Sequence, residues 1–137
     1  MILISACLAG VNCRYDGENC YNEKIMELVK NGEAILVCPE QLGGLSTPRV
    51  PAEIINGKVI TKDGIDVTEE YKKGATEVLK LAKCLNINKA IFKSKSPSCG
   101  CGIIYDGTFS GNKVNGNGIT TQVLLDNGIN VITEKDI

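Results

Sequence analysis

Short runs of β-branched and other apolar residues recur along the chain, and each is followed by residues that break regular structure, such as Gly, Pro, Asn or Ser. Runs of this kind predict strands that are buried on both faces, as in a parallel sheet. The pattern predicts strands over residues 2–6, 34–37, 89–93 and 129–132.

Three stretches between or beside these runs repeat apolar residues at the spacing of an amphipathic helix. Asn22, a favourable N-cap residue, stands before the first stretch. Asp66 and Glu69 open the second stretch with the spacing of a capping box. The predicted helices span residues 23–31, 66–85 and 118–127.

Two further segments predict β-hairpins. Residues 54–60 are β-type runs around Asn56-Gly57, a strong hairpin signal. Residues 103–105 and 108–109 flank Asp106-Gly107 and predict a second hairpin. By contrast, the Pro and paired Gly of residues 38–44 predict an irregular loop.

The alternation of helices with short apolar strands predicts an α/β fold with a mainly parallel sheet flanked by helices, Rossmann-like, with a β-hairpin excursion. The length suits a single domain over residues 1–137. In such sheets, ligands bind outside the carboxyl ends of the strands. Cys7, Cys38 and the loop 94–101 follow the first three predicted strands, so we expect them to meet at one edge.

Composition and charge exclude several classes of protein. The net charge is −1 and the pI is about 5.5, so the chain lacks the excess of basic residues that a generic nucleic-acid binder needs. It has no long apolar segment and no signal-peptide pattern. We therefore expect a cytoplasmic protein without a membrane partner, while the sequence leaves its oligomeric state open.

Seven cysteines and no histidine direct attention to metal or thiol chemistry. No CxxC pair occurs, so neither a zinc ribbon nor a thioredoxin-type redox pair has its expected spacing. A site assembled from distant loops, with sulfur and carboxylate donors, suits either zinc or an iron–sulfur cluster. Cys84, on the long predicted helix, is expected to be a buried and inert apolar residue.

Several sequence blocks stand in order over nearly the whole chain. They are Ser5-Ala6-Cys7-Leu8 with Gly10, Cys13-Arg14-Tyr15-Asp16-Gly17, Cys38-Pro39-Glu40-Gln41-Leu42-Gly43-Gly44 with Thr47-Pro48-Arg49 and Pro51-Ala52-Glu53, Lys93-Ser94 with Ser96-Pro97-Ser98-Cys99-Gly100, and Ile104-Tyr105-Asp106-Gly107-Thr108-Phe109-Ser110-Gly111. In these blocks the sequence resembles the thiouracil desulfidases, first catalogued as domain of unknown function 523.

The resemblance implies a [4Fe–4S] cluster held by Cys7, Cys38 and Cys99, with one iron left open. It also implies non-redox removal of sulfur from 2- or 4-thiouracil or a thiouridine nucleotide, with sulfide released at the open iron. Glu40 and Ser96 are then expected near the reaction, with Glu40 activating water and Ser96 passing a proton.

The remaining polar residues of the blocks supply the predicted substrate-binding set. Arg14 and Lys93 suit a phosphate if the substrate is a nucleotide, and Asp16 suits the edge of the pyrimidine. Cys13 and Ser98 complete this set. Cys13 also belongs to the family pattern, so it is an alternative ligand to Cys7.

Two other interpretations stay open from the sequence. Cys101 is outside the pattern, but it lies close enough to Cys99 to offer an alternative thiolate. The whole protein can also be a structural or sensory zinc or iron–sulfur protein without catalytic activity, or a metal-free thiol oxidoreductase. The first predicts a filled metal coordination sphere and no adjacent pocket, and the second predicts a disulfide after mild oxidation.

Overall fold

The computed structural model describes all 137 residues. Its strands are β1 (Ile2–Ser5), β2 (Ala34–Val37), β3 (Ala52–Ile55), β4 (Lys58–Thr61), β5 (Lys89–Phe92), β6 (Ile103–Tyr105), β7 (Lys113–Asn115) and β8 (Asn130–Thr133). Its α-helices are α1 (Glu23–Lys30), α2 (Pro39–Leu42), α3 (Thr68–Cys84) and α4 (Ile119–Asp126).

The central sheet consists of the four strands that the apolar runs predict, all parallel, in the order β2-β1-β5-β8. The chain passes outward from β1 to β2 and then returns to the other side of β1 to form β5. The strand order therefore reverses between β1 and β5, where α/β sheets open a crevice for ligands. The predicted α/β class with a mainly parallel sheet is confirmed.

Both faces of the sheet are buried, which explains the nearly continuous apolar runs. Leu3 and Phe92 pack on one face with residues of α3 and α4. Ile4 and Ile91 pack on the other face with Ile25 of α1. Full burial of each such side chain contributes roughly 1.5–3 kcal/mol to folding. Because successive side chains of a strand are buried on opposite faces of the sheet, this burial fixes the strands in place.

One of the predicted helix starts is confirmed and another is wrong. Asn22 caps α1 as predicted, since its side-chain oxygen accepts from the amides of Lys24 and Ile25. The predicted capping box of α3 does not form. Asp66 accepts from the amide of Thr68 at 2.8 Å, while the Thr68 hydroxyl accepts from the amide of Val59 and so ties the helix to β4.

Two local predictions are wrong. Residues 38–44 are not wholly irregular, because Pro39 begins helix α2 at the position where proline is best tolerated. In the second hairpin, β6 pairs with residues 113–115 and not with 108–109. The intervening segment, residues 106–112, is held away from β6 by hydrogen bonds from Gly107 and Phe109 to Glu53 on the first hairpin.

Helices α2 and α3 touch through their backbones at two glycines. A Cβ atom at Gly74 of α3 would lie 1.9 Å from the carbonyl oxygen of Pro39, and one at Gly43 would lie 2.0 Å from that of Glu70. Only glycine permits this approach. It brings the segment after Cys38 against the first turns of α3.

Gly74→Ala is expected to destabilise the protein by about 2 kcal/mol through overpacking. Helix propensity alone predicts the opposite sign, because alanine in a helix is favoured over glycine by about 1 kcal/mol. The measurement is the free energy of unfolding in urea, with Thr76→Ala on the exposed side of α3 as the control. A Gly74→Ala variant as stable as the control would contradict the close approach.

None of the four α-helices combines the length and the apolar character needed to cross a membrane.

Candidate active site

A cavity of about 420 Å³ opens at the carboxyl ends of the sheet strands. Ser5 at the end of β1 and Lys93 after β5 both line it, and the Lys93 amide donates to the Ser5 hydroxyl at 2.9 Å. This hydrogen bond joins the two strands where the sheet order reverses. The cavity therefore lies at the position that the predicted topology favours for a ligand, and both hairpins contribute to its walls.

Four of the seven cysteines line this cavity. Cys7 lies in a short 3-10 turn directly after β1, Cys38 is the N-cap residue of α2, and Cys99 lies in the loop after β5. Cys13 is 2 % exposed, and its backbone carbonyl accepts from the Cys38 thiol at 3.8 Å. The structure thus brings the three cysteine-bearing loops together, as the order of elements predicts.

The environment of Cys38 and Cys99 favours the protonated forms of their thiols. Burial raises the pKa of Cys99 to about 12, with help from the charge of Glu40 and against a hydrogen bond from Ser5. The thiol hydrogen bond with Cys13, followed by burial, also raises the pKa of Cys38. Binding of a metal group to these thiols must therefore release protons.

Two neighbouring cysteines shift the pKa of the Cys13 thiol in opposite directions. Its hydrogen bond with Cys38 lowers the pKa of the Cys13 thiol, but the hydrogen bond with Cys7 and burial outweigh it, and the pKa is about 11. Cys13 is thus another protonated thiol at neutral pH, within the same group as the predicted ligands.

The arrangement of donors distinguishes between kinds of metal group. No three Cys, Asp or Glu side chains converge closely enough to ligate a single metal ion. Iron–sulfur clusters are held by cysteine thiolates, one on each of several irons, so their ligands are spread more widely than those of one zinc ion. Thiols on three loops around a shared cavity, without histidine, fit a cluster better than zinc.

Glu40 is held beside the cysteines through only one of its two carboxylate oxygens. The hydroxyl of Tyr71 donates to Oε1, and Nε of Arg49 lies 3.4 Å from the same atom. No protein group donates to Oε2. Since every buried side-chain oxygen and nitrogen in the protein has a hydrogen-bond partner, Oε2 is not buried. Since Glu40 lines the cavity, Oε2 is the oxygen available to a water molecule or a ligand there.

The two donors to Glu40 are themselves fixed. Tyr71 is 2 % exposed, and burial, followed by the charge of Glu40, raises the pKa of its hydroxyl, so Tyr71 remains a donor at any physiological pH. Arg49 also donates to the carbonyl of Cys13 at 2.8 Å and to the hydroxyl of Thr47. Arg49 therefore connects the Cys13 loop with the segment after Cys38.

Ser96 organises the loop that carries Cys99. Its hydroxyl oxygen accepts from the amides of Ser98 and Cys99 at 3.1 and 3.0 Å. A serine hydroxyl has two acceptor sites and one donor hydrogen. With both acceptor sites used, the Ser96 hydroxyl is left to act as a donor toward the cavity that Ser96 lines.

The first turn of α4 fixes the same loop from behind. The Thr121 hydroxyl donates to the carbonyl of Cys99, and the Thr120 amide donates to that of Ser98. A Cβ at Gly118 would lie 2.4 Å from the Ser98 carbonyl, so the loop and the helix start are in direct backbone contact. Cys99 is thereby held on a rigid support.

Of the predicted substrate-binding residues, Cys13, Arg14 and Lys93 line the cavity. Arg14 donates to the Cys20 sulfur at 2.9 Å and pairs with Asp16 at 3.2 Å. The Lys93 ammonium group pairs with Glu134 at 3.3 Å. Both cations thus reach the cavity from positions fixed by a carboxylate partner.

The other two predicted substrate-binding residues do not line the cavity. Asp16 is exposed and pairs with Arg14. Ser98 is 1 % exposed, and its hydroxyl lies 2.8 Å from that of Thr120. Asp16 contacts Arg14, which lines the cavity, and Ser98 directly precedes Cys99, which also lines it.

The three remaining cysteines lie away from the cavity lining. The Cys101 thiol donates to the carbonyl of Val131 at 3.5 Å and packs against the core. Cys20 accepts from Arg14. Cys84 is exposed at the end of α3, so the prediction that it is a buried apolar residue is wrong.

Comparison with known proteins agrees with the pattern of blocks along the chain. The family model described as 2-thiouracil desulfurase matches residues 2–136. The chain belongs to the 2-thiouracil desulfurase family. The predicted family is therefore confirmed, and with it the prediction of an enzyme.

Two individual proteins are similar to this family member over nearly their whole lengths. The uncharacterized protein YbbK of Bacillus subtilis (strain 168) is 48 % identical over 147 residues, which cover 100 % of this chain and 97 % of YbbK. A solved structure of a [4Fe–4S]-dependent thiouracil desulfidase, TudS, superposes with a TM-score of 0.95 at 43 % identity. That match covers 99 % of this chain and 91 % of the TudS chain.

Three cavity residues that contribute to the site of this desulfurase-family chain received no role from the sequence. Glu53 and Phe109 stand in the recognised blocks, so their presence there was the available signal. Tyr71 had no such signal, because it lies in the apolar stripe of α3 and looks like an ordinary core residue. Its contact with Glu40 depends on how α2 packs on α3.

Proposed function

We propose that this protein is a [4Fe–4S]-dependent desulfidase that hydrolyses the thiocarbonyl group of a thiolated uracil, as the free base or as a nucleotide. The observation that carries the proposal is the meeting of the Cys7, Cys38 and Cys99 loops with the free oxygen of Glu40 at one cavity. The family membership and the similarity to TudS support it.

In this proposal Cys7, Cys38 and Cys99 hold the cluster, and Cys13 is the alternative to Cys7. When bound, the cluster supplies an iron without a protein ligand, a Lewis acid that suits a soft sulfur atom. The protein contributes rigid thiol positions, since the first turn of α4 supports Cys99 and Arg49 supports the Cys13 loop. Cys101 has no part in it, because its thiol is directed at Val131.

Glu40 acts on water. Its Oε2 takes a proton from a water molecule as the water oxygen attacks the ring carbon that bears sulfur. Tyr71 and Arg49 keep Oε1 occupied, so the carboxylate presents one defined oxygen to the cavity. Fixing a catalytic group in this way reduces the entropy lost on reaching the transition state.

Ser96 supplies a proton to the departing sulfur. Its hydroxyl hydrogen is free, while two backbone amides donate to its oxygen and would stabilise the negative charge that develops there. Water adds to the ring carbon and the carbon–sulfur bond then breaks. Of the two water protons, one restores the Ser96 hydroxyl and the other completes hydrogen sulfide, so water plus thiocarbonyl yields carbonyl plus hydrogen sulfide with Glu40 and Ser96 regenerated. No electron is gained or lost by the substrate.

The cavity volume of about 420 Å³ suits a small heterocycle with part of a nucleotide. We assign direct substrate contact to Cys13, Arg14 and Lys93, which line it. Asp16 and Ser98 then act through neighbours, Asp16 through its ion pair with Arg14 and Ser98 by supporting the loop of Cys99.

The test is sulfide release from anaerobically reconstituted protein supplied with 2-thiouracil, 4-thiouracil or 4-thiouridine monophosphate. We expect sulfide and the matching uracil compound in equal amounts from at least one of them. Cluster-loaded protein that releases no sulfide from any of the three would favour the structural or sensory alternative. Protein that takes up one zinc and no iron–sulfur cluster would overturn the proposal.

Tyr71→Phe is expected to lower kcat about tenfold with little change in KM, because Glu40 loses its better-aligned donor but keeps Arg49. A hydrogen bond to a charged group contributes about 1.5–3 kcal/mol, and a tenfold change in rate corresponds to about 1.4 kcal/mol. Steady-state kinetics on cluster-loaded protein measures the effect. Tyr21→Phe, at an exposed tyrosine, is the matched control, and an equal kcat in both variants would show that Tyr71 does not position Glu40.

A further inference from the structure

Phe109 has an unusual backbone. Its φ is +55°, in the left-handed region that an aromatic residue seldom adopts. For a non-glycine residue this conformation is unfavourable, so it persists only where neighbouring groups enforce it.

Glu53 is the group that enforces it. One carboxylate oxygen of Glu53, Oε1, accepts from the amide of Gly107 at 2.9 Å and from the amide of Phe109 at 3.1 Å. A Cβ at Gly107 would lie 2.7 Å from a side-chain carbon of Ile55, so the segment 106–112 is also pressed closely against the first hairpin. Glu53 thus fastens one hairpin to the other.

The outcome of this arrangement is an aromatic ring on the cavity wall. Phe109 is half-buried and lines the cavity together with Glu53. The other aromatic residues there are Tyr15, Tyr71 and Tyr105. The Tyr71 hydroxyl donates to Glu40, and the Arg14 guanidinium lies 5.4 Å from the ring centroid of Tyr15. Phe109 is the one aromatic side chain of the lining without a polar group, so it offers a wholly apolar ring.

We propose that Phe109 is the stacking surface for the planar pyrimidine ring, and that Glu53 is a positioning residue that acts through it. The inference rests on the proposed function for the identity of the ring. Stacking of a base on an aromatic side chain contributes about 1–3 kcal/mol, and an orientation set by stacking holds the thiocarbonyl group in a fixed direction. The strained backbone at Phe109 is then the means by which its ring reaches the substrate.

The test compares four variants of the cluster-loaded protein. Phe109→Leu and Glu53→Ala should each raise KM for the thiolated pyrimidine about 5- to 150-fold, at about 1.4 kcal/mol per tenfold, and change kcat much less. Phe109→Tyr keeps a ring, and Glu53→Gln keeps an oxygen acceptor for the two amides, so both should stay close to the parent protein. Equal KM values for Phe109→Leu and Phe109→Tyr would overturn the stacking.

A second readout does not depend on turnover. The dissociation constant of uracil, the product ring, is measured by calorimetry for the same variants and should rise in parallel with KM. The double variant Glu53→Ala/Phe109→Leu should bind uracil no more weakly than Phe109→Leu alone, because both changes remove the same contact. Additive losses would show that Glu53 does not act through Phe109.

These results separate the inference from the function on which it rests. Parent protein that binds uracil in a Phe109-dependent way but releases no sulfide would refute the desulfidase proposal and leave the stacking surface intact. Parent protein that releases sulfide, with KM and uracil affinity unchanged in Phe109→Leu and Glu53→Ala, would refute only the inference.

Discussion

Glu40→Gln is expected to lower kcat about a hundredfold or more while the protein keeps its brown cluster. General base catalysis contributes roughly 10²- to 10⁴-fold to such reactions, and glutamine cannot take the proton from water. The amide oxygen can still accept from Tyr71 and Arg49 in place of Oε1. The variant therefore removes the base without removing the contacts that hold the side chain.

The measurement combines the rate of sulfide release with the iron content and visible absorption of each sample. Glu69→Gln is the matched control, because the Glu69 side chain is 86 % exposed on α3. Full activity in Glu40→Gln would remove Glu40 from the chemistry. Loss of the cluster together with activity would assign Glu40 a role in holding the cluster.

Cys99→Ser is expected to abolish both cluster binding and sulfide release. Cys99 is the most deeply buried of the proposed ligands, and α4 fixes its loop, so no other thiol can move into its place. Parent protein should contain about four irons and four sulfides per chain, as the cluster formula requires. Iron and sulfide analysis after anaerobic reconstitution measures the loss, with activity as a second readout.

Cys84→Ser and Cys13→Ser serve as comparisons for this prediction. Cys84 is exposed and is not part of the cavity lining, so Cys84→Ser should retain the full cluster. Cys13→Ser should also retain it if Cys7 is the ligand and lose it if Cys13 takes that place. A Cys99→Ser variant with the parent's iron content would show that the ligand set is wrong.

The parts of the fold that the sequence predicts well are those determined by short-range patterns. The four apolar runs become the four sheet strands, because β-branched residues suited to burial on both faces leave few alternatives. Helix α1 likewise begins just after its predicted cap, Asn22. The predicted register of the second hairpin is wrong, because the register depends on Glu53, a residue far away in the sequence.

The candidate site likewise has features that can be predicted from the sequence and features that cannot. The meeting of the cysteine loops follows from the parallel direction of the strands, whose carboxyl ends share one edge of the sheet, so it can be predicted from the sequence. The direction of each side chain within a loop cannot, and for this reason Ser98 and Asp16 lie off the cavity although they stand beside residues that line it. The donation from Tyr71 to Glu40 depends on two facing glycines, Gly43 and Gly74, whose pairing no local pattern reveals.

The proposed ligands reside on three separate crossovers of a parallel sheet, and this has a consequence for maturation. No short segment of the chain offers more than one of these sulfur atoms, so a nascent or unfolded polypeptide has no local nucleus around which iron and sulfide can assemble. We expect the apoprotein to fold first and to receive the cluster afterwards, through the opening of the folded cavity. A zinc finger follows the reverse order, because metal capture there drives folding.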